Sequence, residues 1–111
     1  MRASLAVFVV LAVSAGCGSS APLGAPSSLN VVPSGGGAHL TWADHATAED
    51  EFRIERKDPG GQFVQKYTVP FDILVFHDQH VTAGSTYTYR VRAASTAGVS
   101  DYSNEASLTV K

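Results

Sequence analysis

Apolar positions along the chain follow two different rules, and the change comes early. Met1 to Gly16 reads MRASLAVFVVLAVSAG, and Leu5 to Val13 contains no polar residue. From Pro26 onward the period becomes two, with turn residues returning about every eight to twelve positions, the pattern of short half-buried strands. Ser28–Val32 reads as a first strand, ended by Pro33 and Ser34-Gly35-Gly36-Gly37. Next, Ala38, Leu40 and Trp42 alternate with His39 and Thr41, so the two sets face opposite sides. Asp44 to Asp50 is polar and reads as a loop or short helical turn.

Alternation resumes in Phe52-Arg53-Ile54-Glu55-Arg56, with Phe52 and Ile54 inward. Asp58-Pro59-Gly60-Gly61 predicts a tight turn, since Pro presets φ at the second position and Gly accepts positive φ at the third. Gln62–Val69 is the return strand, closed by Pro70. Ile73-Leu74-Val75-Phe76 is a continuous apolar run, expected to be a strand covered on both sides. Thr86–Ala93 alternates most clearly: Tyr87, Tyr89, Val91 and Ala93 on one face, Thr88, Arg90 and Arg92 on the other. A turn at Thr96-Ala97-Gly98 leads to a last strand over Tyr102–Val110. Seven strands and no helix predict an all-β sandwich.

The early apolar stretch has a separate meaning. Arg2, an apolar run and small residues at Ser14, Ala15 and Gly16 form the layout of an export signal. The run is too short for a bilayer, which takes about 20 residues. The expected organisation is a leader over 1–16, a Gly/Ser/Pro/Ala tether over 17–25 and one folded domain over 26–111. Cys17 is the single cysteine, so the domain has no internal disulfide and its core must suffice. A formal net charge of −2 and the lack of any Lys/Arg run argue against a nucleic-acid surface.

Ser14-Ala15-Gly16-Cys17 resembles the bacterial lipoprotein signal, in which two small residues precede an acylated cysteine. Ser14 stands where that family usually has Leu, Val or Ile. The resemblance implies acyl chains on Cys17 and a membrane-anchored, exported protein. Gly18 implies the outer membrane where the cell has two. The alternative is an ordinary cleavage after Ala15, giving a secreted chain with a free thiol.

The strings Trp42, Phe52-Arg53-Ile54-Glu55-Arg56, Gly84 to Ala93, Gly98, Ser100 and Tyr102-Ser103-Asn104 together resemble a fibronectin type III domain. The resemblance covers nearly all of the chain after the tether and implies an immunoglobulin-like seven-stranded sandwich. It places Trp42 between the sheets and Tyr87 at a tyrosine corner, its phenol closing onto upstream backbone. It also sets Val81 beside that tyrosine and Gly98 in a turn.

Candidate chemistry is sparse. His77 and His80 flank Asp78 but point to opposite faces of an extended strand, and His39 and His45 lie elsewhere, so these read as solvated positions. Asp78 matches an Asp common in the family at that turn. Asp44 with Glu49-Asp50-Glu51 lacks the alternating oxygens and Gly of a calcium loop and reads as a solvated loop. No nucleophile motif occurs. No metal, cofactor or catalytic residue is expected. Outward Arg53 and Glu55, with Thr88, Arg90 and Arg92 on the strand that neighbours them in the family, form the candidate partner face. The expected function is a non-catalytic, surface-anchored binding or spacer module for a protein or polysaccharide. A structural envelope lipoprotein that self-associates or supports a neighbouring complex is the alternative, and a small hydrolase or metal-binding protein the remote one.

Overall fold

The computed structural model describes residues 23–111, and all its regular elements are strands. The expected leader over 1–16, Cys17 and most of the tether lie outside the described residues. In order, the strands are β1 (Ser27–Ser34), β2 (Gly37–Ala43), β3 (Glu51–Lys57), β4 (Phe63–Pro70), β5 (Val75–Asp78), β6 (Thr86–Ser95), β7 (Gly98–Val99) and β8 (Ala106–Thr109). They form two antiparallel sheets, β1-β2-β5 and β4-β3-β6-β7, with β8 also paired to β6. Asp44 to Asp50 is a loop without helix.

Period-two alternation drives the sandwich, because each strand turns one side to a shared interior. Leu40, Phe52, Ile54, Tyr89, Val91 and Ala93 are fully enclosed, and Leu29, Val31, Trp42, Tyr87, Leu108 and Val110 complete the core. Trp42 lies between the sheets, edge-on to Phe52 at 5.7 Å between centroids. The Asp58 turn closes as its chemistry dictates: Gly61 N–H donates to Asp58 O at 2.9 Å, and Gly60 takes φ +73°.

The last strand differs from its expected form. Instead of one element over Tyr102–Val110, β7 and β8 are separated by a segment that leaves the regular ladder. Its serines stand in for strand partners. Ser100 Oγ accepts from Ala93 N–H at 2.9 Å and Ser103 Oγ from Val91 N–H at 3.0 Å. The Asn104 amide then pairs with both backbone groups of Leu29, at 2.9 and 3.0 Å, tying this segment to β1 across the sandwich edge.

Three further expectations need correction. The Ile73–Phe76 run is not covered on both sides: β5 is an edge strand starting at Val75, and Phe71, Ile73, Leu74 and Val75 are exposed. The chain crosses here from one sheet to the other, so neither sheet can cover it. The tether is packed at its described end, where Leu23 lies against the core and Pro26 is buried. A Cβ on Gly24 would run into the backbone carbonyl of His45, so only glycine fits there. Lastly, Asp78 and Glu49 are buried, not solvated.

Candidate functional site

The candidate face forms because β3 and β6 pair directly. Arg53 stands opposite Arg92, Glu55 opposite Arg90 and Lys57 opposite Thr88, all outward. A β-bulge in β4 adds to it. Ile54 faces Tyr67 but Glu55 faces Gln65, leaving Lys66 as the extra residue and moving Phe63 opposite Lys57. Without that extra residue Val64 would take this place.

The result is a layered stack. The Arg90 guanidinium lies between Phe63, 4.0 Å to the centroid, and Tyr102, 3.7 Å. Arg92 sits 4.7 Å over the Tyr102 ring and Lys57 5.0 Å from that of Phe63. Beneath them Glu55 is buried, accepting from Arg90 Nε at 2.9 Å and from the Tyr102 hydroxyl at 2.6 Å. Arg92 Nη2 is 3.9 Å from the same carboxylate. Burial alone would raise the Glu55 pKa, yet hydrogen bonds from Tyr102 and Arg90 and the two arginine charges hold it below the ordinary value. Burial and the bond to Glu55 push the Tyr102 phenol up.

Arg53 stands apart from this stack, paired along its own strand to Glu51 at 2.7 Å with both side chains about one-third exposed. A shallow depression of ≈ 230 Å³ opens beside it, lined by Asp50, Glu51, Ala94, Ser95 and Thr96. Thr88 bonds Ser107 of β8 at 2.7 Å. The five candidates thus share a face but divide in environment: Glu55 and Arg90 are interlocked, Thr88 is engaged by β8, and Arg53 and Arg92 form a cationic rim that Lys57 joins. Sequence reading did not include Phe63, Tyr102 or Lys57. Lys57 follows from the alternation of β3; Phe63 required the bulge and Tyr102 the irregular segment after β7.

A second cluster went unrecognised. Asp78, wholly enclosed on β5, accepts from Tyr67 at 2.7 Å, Tyr89 at 2.8 Å, Arg56 Nη1 at 2.9 Å and His80 N–H at 2.9 Å. Burial opposes its charge, but these four donors hold its pKa below the ordinary value. Burial and the Asp78 charge push the Tyr67 phenol up to about 12 and Tyr89 up as well. Burial would lower Arg56, but hydrogen bonds and charge from Asp58 and Asp78 raise it. Every acceptor position on Asp78 is taken by the protein, which makes it a clamp between sheets.

The remaining sites are structural in their contacts. Tyr87 Oη accepts from Thr82 N–H at 2.9 Å, Val81 packs partly buried on the core, and Gly98 takes φ +142°. Glu49 is buried near Asp44 and Asp50, and burial with those charges raises its pKa. No group of three His, Cys, Asp or Glu residues converges as for a metal ion among the described residues. No described helix is long and apolar enough to cross a membrane.

This architecture is a fibronectin type III-like, immunoglobulin-like β-sandwich, a fold suited to a non-catalytic module. It is similar to an Fn3-like protein from Clostridium thermocellum, with 26% identity and a TM-score of 0.68 over 82% of this chain and 96% of that one. It also resembles titin domains A168–A170, at 15% identity and a TM-score of 0.71, over 89% of this chain and 35% of that one. A β-1,2-glucanase from Parabacteroides distasonis matches at 21% identity and a TM-score of 0.72, but the match spans only 13% of the enzyme. These last two show the fold alone. No family model matches the sequence, and no curated protein does.

Proposed function

We propose that this chain is a non-catalytic binding module presenting the outer face of its five-stranded sheet to a protein or polysaccharide at the cell envelope, held there through Cys17. The observation that carries the reading is the preorganised stack of Phe63, Arg90, Tyr102 and Arg92 over a buried Glu55. Stacked guanidinium and aromatic groups lose little freedom on binding, and Arg and Tyr are enriched at interface hot spots. The rim of Arg53, Lys57 and Arg92 favours a partner bearing carboxylates or other anions. Crosslinking in cells and glycan-array binding test this. Capture should weaken in Arg53→Glu and Lys57→Glu chains and with added salt; capture indifferent to both changes counts against the face.

A second reading has its own support. The exposed run Phe71, Ile73, Leu74 and Val75 at an open sheet edge suits self-association by strand pairing. Sedimentation at high concentration separates the readings: a Val75→Lys change should abolish any dimer without affecting capture on the arginine face.

A further inference from the structure

The outer faces of the two sheets differ in chemistry. On the three-stranded sheet one row reads Val32, His39, His77 and the next Asn30, Thr41, Val75, without a carboxylate, lysine or arginine in either. His39 and His77 are directly opposite each other. The bond from Trp42 N–H to Leu74 O, at 3.2 Å, sets the phase of this ladder. Trp42/Leu74, Leu40/Phe76 and Ala38/Asp78 are therefore the hydrogen-bonded pairs. His39/His77 is of the other kind, in which Cα atoms approach to about 4.5 Å and side chains are closest.

The imidazole centroids lie 6.0 Å apart with the planes inclined at 48°. Two imidazoles on one ion, at metal–nitrogen distances of about 2.0–2.1 Å, have centroids about 4.5 Å apart at a right angle and about 5.2 Å at the tetrahedral angle. Rotation of the two rings by roughly an ångström would therefore bring them onto one ion. At Gly37 a Cβ would meet the Asp78 carbonyl oxygen at 2.6 Å and His77 Nε2 at 3.0 Å, so the His77 ring tip lies against this glycine. The other two histidines are engaged elsewhere: His45 Nε2 bonds Ser27 Oγ at 2.6 Å, and His80 stacks on Tyr67. Sequence spacing pairs His77 with His80; the ladder pairs it with His39.

We propose that His39 and His77 form a two-imidazole site for a divalent transition-metal ion of the Ni²⁺, Cu²⁺ or Zn²⁺ type. Imidazole nitrogens suit these ions, whereas Ca²⁺ and Mg²⁺ favour carboxylate oxygens, which these rows lack. With only two protein ligands, the remaining positions are taken by water or by a group on a partner, so the ion exchanges readily.

The test is calorimetric titration of Ni²⁺ into the untagged full chain carrying Cys17→Ser at about pH 7.5. One ion should bind per chain. His39→Gln and His77→Gln should each weaken it by about tenfold or more, through loss of a whole ligand, and His45→Gln should leave it unchanged. No saturable binding up to about millimolar Ni²⁺, or binding that survives both changes, overturns the site. A measurement without histidine substitutions guards against misfolded variants. Ni²⁺ should broaden the ring NMR signals of His39 and His77 first; earlier broadening of His45 or His80 overturns it equally.

Discussion

Asp78 of β5 and Arg56 of β3 meet at 2.9 Å across the two sheets, with none of the aspartate exposed and the guanidinium nearly enclosed. Tyr67 and Tyr89, from the same sheet as Arg56, fill the remaining acceptor positions together with His80 N–H. One carboxylate thereby fixes how the sheets sit relative to each other, just beyond the apolar core.

Asp78→Asn should destabilise the fold by about 3 kcal/mol, the low end for breaking a buried pair, because Arg56 loses its enclosed partner and keeps only Asp58 and the His80 carbonyl. Tyr89→Phe should cost less, about 1–3 kcal/mol, as one donor to the carboxylate is lost. Denaturant unfolding measures both. Equal costs would show that the charge pair is not the main contributor.

Acid should weaken the fold through the same group. The Asp78 pKa is lowered in the folded state, so the unfolded chain binds more protons as pH falls. Its contribution is present above the ordinary aspartate pKa and is lost as pH falls through the lower folded value. Glu55, also lowered, acts in the same direction. Stability should therefore drop below about pH 4, and Asp78→Asn should flatten that drop; an unchanged slope in the variant would contradict the assignment.

Tyr102→Phe removes the 2.6 Å bond to Glu55 and should cost about 1.5–3 kcal/mol, the range for hydrogen bonds to charged groups. The Glu55 pKa should rise in the variant, read by carboxyl NMR titration. In a double-mutant cycle with Glu55→Gln the two effects should be non-additive. Additivity would mean that the stack stands without its buried carboxylate.

For the anchor, intact mass of the protein purified from its own cells should show a chain beginning at Cys17 and carrying acyl groups. Cys17→Ser should release it from the membrane fraction. A mass beginning at Gly16 without acyl groups would assign ordinary secretion.

Much of the sandwich was legible because period-two alternation is local. Trp42, Phe52, Ile54, Tyr87, Tyr89 and Val91 declare their inward side from spacing alone, and burial follows. The candidate face was partly legible for the same reason, since Arg53, Glu55, Arg90 and Arg92 declare the outward side. What was missing depended on interruptions of the pattern. Phe63 reaches the face through a bulge, and Tyr102 lies in a segment where serine hydroxyls replace ladder bonds. Neither interruption has a period to detect.

The sequence by itself determined the fold class, the turn at Asp58-Pro59-Gly60-Gly61 and the side of the sheet each alternating residue takes. These depend on neighbours within a few residues. The tertiary structure alone decided which distant groups meet: Asp78 with Arg56, Arg90 with Phe63 and Tyr102, and His39 with His77. Strand order and register set those meetings, and they turned an aspartate that reads as solvated into the most enclosed charge among the described residues.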